Sequence, residues 1–154
     1  MKQPSRWLAG VALTLVAAQL CACAQVAKDD KNAARAEAAA VERVKGRDVK
    51  LVILSRAAAE RLAIRTAPVR RIRIHTHRGV TVREVVPYSA VLYGANGRAF
   101  VYTSPRPLTY LRAPIRLSDI RGNGAIISAG PPAGTAVVTV GVPELYGTEF
   151  GVTE

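Results

Sequence analysis

The chain has 154 residues, enough for one domain with or without a targeting segment. Lys and Arg number 22 against 11 Asp and Glu, a net charge of +11 that favours anionic partners such as lipid headgroups, cell-wall polymer, nucleic acid or an acidic protein face. The two cysteines, Cys21 and Cys23, lie near the N-terminus, which excludes a disulfide-stapled body and a Cys-ligated zinc fold.

Lys2 and Arg6 precede a nearly uncharged apolar run from Trp7 to Leu20. That run falls short of the roughly 20 residues a spanning helix needs, but it suits a secretory signal. It ends in Leu20-Cys21-Ala22-Cys23, which resembles a bacterial lipobox with Leu at −3, a small residue at −1 and the acceptor cysteine at +1. The resemblance implies lipidation of Cys23 and anchoring to a membrane through acyl chains. Residues 1–22 are then a lipoprotein signal peptide, and an exported protein of this kind is not expected to meet nucleic acid.

Residues 23–48 read as a tether, helical or disordered, rich in Ala and charged side chains. A helix over roughly Lys31–Lys45 is expected, with Asp29 or Asp30 as N-cap and Gly46 as stop, though its apolar face is thin. Residues 49–154 read as a β domain. Lys50–Leu54 is a short apolar strand, and Ser55 caps a short helix over Arg56–Leu62. From Ile64 the period becomes two: Ile72 and Ile74 alternate with Arg71 and Arg73, and Val80 and Val82 with Thr81 and Arg83. Two strand-like runs flank Asn96-Gly97, a dipeptide suited to a type I′ hairpin turn. A strand over Tyr110–Leu117 follows, in which Pro114 points to an edge strand or a bulge, then Ala125–Ser128, a Gly/Pro turn and Thr135–Val140. The expected fold is mainly β: a small antiparallel β-roll or partly open barrel with one short helix.

Catalytic chemistry is hard to assemble from these residues. The acids form no spaced pair, the serines lack a Gly-x-Ser-x-Gly context, and the glycine runs are spaced like turns. No enzyme activity is expected. His75 and His77 could share one face of a strand and reach one metal ion. Two ligands do not make a site, and Arg73 and Arg78 beside them oppose a cation, so neither metal nor other cofactor is expected. The aromatic residues interleaved with arginine read as cross-strand packing rather than a base-stacking platform.

The stretch Val86–Tyr102, with its Val-Pro-x-x-Ala-Val strand, Asn-Gly turn and aromatic-Val-Tyr strand, resembles the membrane-proximal region of periplasmic adaptor subunits. These are the membrane fusion proteins, HlyD-like, of efflux transporters. Gly134–Gly141 resembles the family's later "G-x-x-V-V-x-x-G" strand, 143–151 its closing tail, and Ala59–Val69 its entry segment. In full-length adaptors a barrel, a lipoyl-like domain and a helical hairpin separate the entry segment from the Val-Pro strand. Here only Arg70–Val85 intervenes, so the chain resembles the membrane-proximal domain alone. The resemblance implies a noncatalytic accessory of transmembrane transport, held in the cell envelope and facing the periplasm, that docks on an inner-membrane transporter or a full-length adaptor. Arg70, Arg71, Arg73, Arg106 and Arg112 are the candidate docking residues, because the guanidinium fork pairs bidentately with carboxylates. A standalone envelope lipoprotein that binds an anionic ligand or a metal ion is the alternative.

Overall fold

The computed structural model describes residues 38–151 apart from Arg47 and Arg78, with the backbone alone at Thr76. Cys23, its signal peptide and most of the tether lie outside the described residues. The described chain belongs to one unit, which begins at Ala38. It is mainly β, with eleven strands in two antiparallel sheets and no closed barrel.

The larger sheet runs in the order β1 (Ala39–Arg43), β2 (Lys50–Leu54), β8 (Thr109–Pro114), β7 (Ala99–Arg106), β11 (Ala136–Val140) and β3 (Arg65–Pro68). A two-residue strand, β6 (Leu92–Tyr93), also pairs with β7. The smaller sheet is β4 (Arg70–Thr76), β5 (Gly79–Pro87), β10 (Gly124–Ala129) and β9 (Arg116–Arg121), in that order. Helix α1 (Arg56–Arg61) follows β2, and helix α2 (Val142–Phe150) closes the described chain.

Two apolar cores lie on opposite faces of the larger sheet. On one face Val52, Leu54, Phe100, Tyr102, Tyr110 and Val138 pack against Ala58 of α1 and Val142 and Leu145 of α2. On the other, Val101 and Val137 pack against Val86, Ala125 and Ile127 of the smaller sheet. Neighbouring residues of β7 and β11 therefore point into different cores, as the pleat requires. This is why Phe100 to Thr103 are buried without a break. A strand covered on both faces loses the alternation that marks a half-exposed one.

The chain changes sheets at buried apolar hinges. Val69, between β3 and β4, is 2% exposed and donates its N–H to the Thr135 carbonyl at 2.8 Å. Ile115 divides β8 from β9, so the single strand expected over Tyr110–Leu117 is in fact two strands in different sheets. Pro114 is the last residue of β8 paired with β7, opposite Phe100, and from Arg116 the chain pairs with β10 of the smaller sheet. The Ile115 N–H then returns to the Ala99 carbonyl at 3.0 Å.

Three further expectations change. Residues 39–43 form β1, an edge strand paired with β2 through Ala39↔Leu54 to Arg43↔Lys50, and are not part of a helix or tether. Ala, Glu and Arg favour a helix, but a thin apolar face gives that helix nothing to bury, whereas pairing with a buried strand satisfies the backbone. The β domain thus begins near residue 38 and not at residue 49. The Asn96-Gly97 turn is a three-residue loop and not a two-residue type I′ turn: the Gly97 N–H donates to the Gly94 carbonyl, and the Gly94 N–H donates to the Arg98 carbonyl, both at 2.9 Å. Gly97 alone takes positive φ, at 71°, while Asn96 uses its side-chain oxygen to accept from the Arg98 N–H at 3.1 Å. That is a type I turn closed by a left-handed glycine. Helix α2 is the third difference, since the expected short helix is α1 alone. Ser55 does cap α1, accepting from the Ala58 N–H at 3.2 Å.

Candidate functional site

The stretch Arg70–Val85, which joins the entry segment to the Val-Pro strand, folds into an antiparallel hairpin of β4 and β5. Its register runs from Arg70↔Val85 to Thr76↔Gly79 without a shift. Directly opposed residues share a face, so Arg71, Arg73 and His75 stand with Glu84, Val82 and Val80. Val80 and Val82 are 55% and 46% exposed, and all three basic side chains are exposed with them. The opposite face carries half-buried Ile72, Ile74, Thr81 and Arg83. Among the described residues, only Arg71 of the three arginines on β4 approaches an acid, Glu84 at 3.7 Å. Both side chains of that pair are partly solvated, so it leaves most of the positive field in place. Arg70 lies at the start of the strand and, with Arg121 and Asn123, rims a concavity of about 430 Å³.

The structure therefore groups Arg70, Arg71 and Arg73 on one strand and separates the other two candidates from them. Arg106 is exposed at the end of β7 in the larger sheet, beside a turn in which Leu108 takes a φ of 58°. Arg112, on β8, is held internally and is not a free docking residue. Its Nε donates to both carboxylate oxygens of Glu149, at 3.2 and 3.1 Å, and its Nη2 lies 3.1 Å from Oε1. The guanidinium also sits 5.1 Å from the ring centres of Phe100 and Phe150.

Glu149 is the residue that the sequence reading left without a role. It is 2% exposed, on the face of α2 shared by Val142 and Leu145. Beyond Arg112, its carboxylate accepts from the Tyr102 hydroxyl, and its backbone carbonyl accepts from Lys50 Nζ at 2.8 Å. Burial raises the ionisation of the Tyr102 hydroxyl well above its ordinary range, and the hydrogen bond to Glu149 and that residue's charge add to the effect. The cluster has the chemistry of a latch: donors from β7 and β8 converge on one carboxylate, a donor from β2 reaches the same residue's backbone carbonyl, and together they hold α2 to the sheet. No buried side-chain polar atom among the described residues lacks a hydrogen-bond partner. The signal that could have found it is the pairing of an acid on the core-facing stripe of a short helix with an arginine on a core strand. Spacing along the chain shows neither, because 37 residues separate the two.

His75 and His77 do not share a strand face. His75 stands opposite Val80 on β4, but the strand ends at Thr76, and His77 belongs to the turn beyond it. The alternation argument for a shared metal ion fails at that point. Among the described residues no group of three or more His, Cys, Asp or Glu is placed to hold a metal ion. Gly97 heads the hairpin of β6 and β7, where its neighbour Arg98 lies exposed beside a cleft of about 520 Å³ floored by Phe100, Tyr146 and Phe150. The Phe100 and Tyr146 rings stack at 5.8 Å, and the Tyr146 and Phe150 rings lie 4.6 Å apart. These rings pack on one another and on α2 as a structural cluster. Comparison with family models, with curated proteins and with solved structures finds no match.

Proposed function

We propose that the chain is a noncatalytic, lipid-anchored envelope protein whose β domain docks on a membrane transporter, in the manner of the membrane-proximal domain of periplasmic adaptors. The observation that carries this reading is the convergence of the adaptor-like stretches. The entry segment supplies the second half of α1 and all of β3, the Val-Pro stretch leads into β7, the later motif holds β11, and the tail falls in α2. These pieces lie far apart in sequence, yet β11 pairs with both β3 and β7, and α1 and α2 pack on the same core. That those pieces stay together while a plain hairpin fills the gap between them supports reading the domain as a membrane-proximal unit with its two halves joined. The hairpin then offers Arg71 and Arg73 beside exposed valines, a surface suited to an acidic, partly apolar protein face.

The test is photo-crosslinking from β4 in intact cells, followed by identification of what is trapped. Recovery of an inner-membrane transporter or a full-length adaptor, lost on Arg71→Glu with Arg73→Glu, supports the reading. Recovery of lipid or cell-wall material alone overturns it. A standalone lipoprotein that binds an anionic ligand is the second reading. It is favoured by a concave surface of about 780 Å³ where Arg98 and Arg116 flank Tyr93 and Leu117.

A further inference from the structure

Among the described residues, and besides the two-residue β6, the two sheets end in four strands with one open side: β1 and β3 in the larger, β4 and β9 in the smaller. An edge strand turns alternate N–H and C=O groups outward and templates another strand unless something blunts it. β3 is four residues long, ends at Pro68 and slips register against β11 between Val138 and Val140. β9 slips twice against β10, and bulges twist an edge away from regular pairing. β1 is only five residues long. β4 differs from all of these. It has seven residues, no proline and an unbroken register with β5 along its whole length.

Charge decides what such an edge can accept. Arg70, Arg71 and Arg73 lie on β4, and among the described residues the only acid in ion-pair contact with them is Glu84. A second copy laid along β4 by the same edge would bring these arginines against their own kind, which disfavours self-pairing. Acids at the matching positions would meet exposed guanidinium groups instead, of which Arg71 already has the partly solvated Glu84 beside it. The two faces add a pattern, since Arg71 and Arg73 project to one side and Ile72 and Ile74 to the other.

The geometry points to strand addition: the open edge of β4 takes an extended segment of a protein partner in which acidic and apolar residues alternate. The acids would lie beside Arg71 and Arg73, and the apolar side chains beside Ile72 and Ile74. Main-chain hydrogen bonds would supply affinity and the alternation would supply register, as in other strand-addition complexes. This rests on the docking reading above and adds to it the mode of contact and the partner's chemistry.

The full-length chain in mild detergent is titrated with capped six-residue peptides of alternating Glu and Val. Controls are the same peptide N-methylated at alternate amides, in either parity, and one with its Glu and Val residues in two blocks. The alternating peptide is expected to bind and to slow hydrogen exchange at amides of β4 but not of β9. One parity of N-methylation, which removes donors and leaves charge intact, should weaken binding by about tenfold or more, as should the block order. Arg71→Glu with Arg73→Glu, checked for an unchanged circular dichroism spectrum, should lose the Glu peptide and gain the matching Lys peptide. No binding of the alternating peptide, equal affinity for both N-methylated forms, or protection on another strand would each overturn strand addition. If cellular crosslinks recover a transporter while β4 gains no protection, the docking reading stands and this inference falls. Protection of β4 with no transporter recovered has the opposite meaning.

Discussion

Arg112→Met withdraws the guanidinium from a carboxylate that is almost wholly buried. The side chains of Arg112 and Glu149 are 23% and 1% exposed, so the charge left behind cannot recover water without moving α2. Removing one partner of a buried ion pair costs about 3–5 kcal/mol. Arg112 keeps some solvent, and the Tyr102 hydroxyl still donates to Glu149, which places the expected loss near the lower end, about 3 kcal/mol. Methionine retains much of the packing against Phe100 and Phe150, so lost volume adds little. For a domain of this size the loss corresponds to a fall in Tm of roughly 10–20 °C. The assay is urea unfolding of the full-length chain, followed by far-ultraviolet circular dichroism. Tyr102→Phe, Arg112→Met and Glu149→Leu combined remove the carboxylate together with both side chains that donate to it, and this variant should return to within about 1 kcal/mol of the parent. An Arg112→Met cost below about 1 kcal/mol, typical of an exposed pair, would refute the latch. So would a triple variant as unstable as the single one.

Gly141 takes a φ of 86°, and a Cβ there would collide with Ile64 Cδ1. Gly141→Ala should cost roughly 3 kcal/mol from backbone strain and overpacking together, with partial recovery when Ile64→Val removes that methyl group. Gly134→Ala, at a φ of 90° with open space around it, should cost only about 1 kcal/mol; urea midpoints compare the two sites. Tyr102 holds its proton more tightly in the folded state than at its ordinary value of 10.0, so its contribution to stability is complete below pH 10 and is lost as pH rises above it. Urea midpoints between pH 8 and pH 11.5 should therefore fall less steeply in Tyr102→Phe, with some slope left from Tyr110, which burial also raises. Cys23→Ser should abolish incorporation of labelled fatty acid and release the chain from membranes, whereas Cys21→Ser should leave it attached.

Local chemistry alone determined much of the β domain. Period-two alternation placed β4 and β5, Ser55 placed the start of α1, and glycine placed the left-handed position at 97, because each depends on side chains within a few residues of one another. Tertiary structure decided what depends on the far side of the molecule. β7 lost its alternation because both of its faces are covered. Residues 39–43 became a strand because β2 had an open edge to pair with, and Tyr110–Leu117 split because Pro114 and Ile115 stand where one sheet gives way to the other. The arginines divide in the same way. On β4 the alternation with isoleucine already put Arg71 and Arg73 on one exposed face. Arg112 has the same local pattern on β8, and only the arrival of Glu149 from α2, 37 residues later, turned it inward. A carboxylate brought across the fold sets where a guanidinium lies, and no spacing along the chain encodes that meeting.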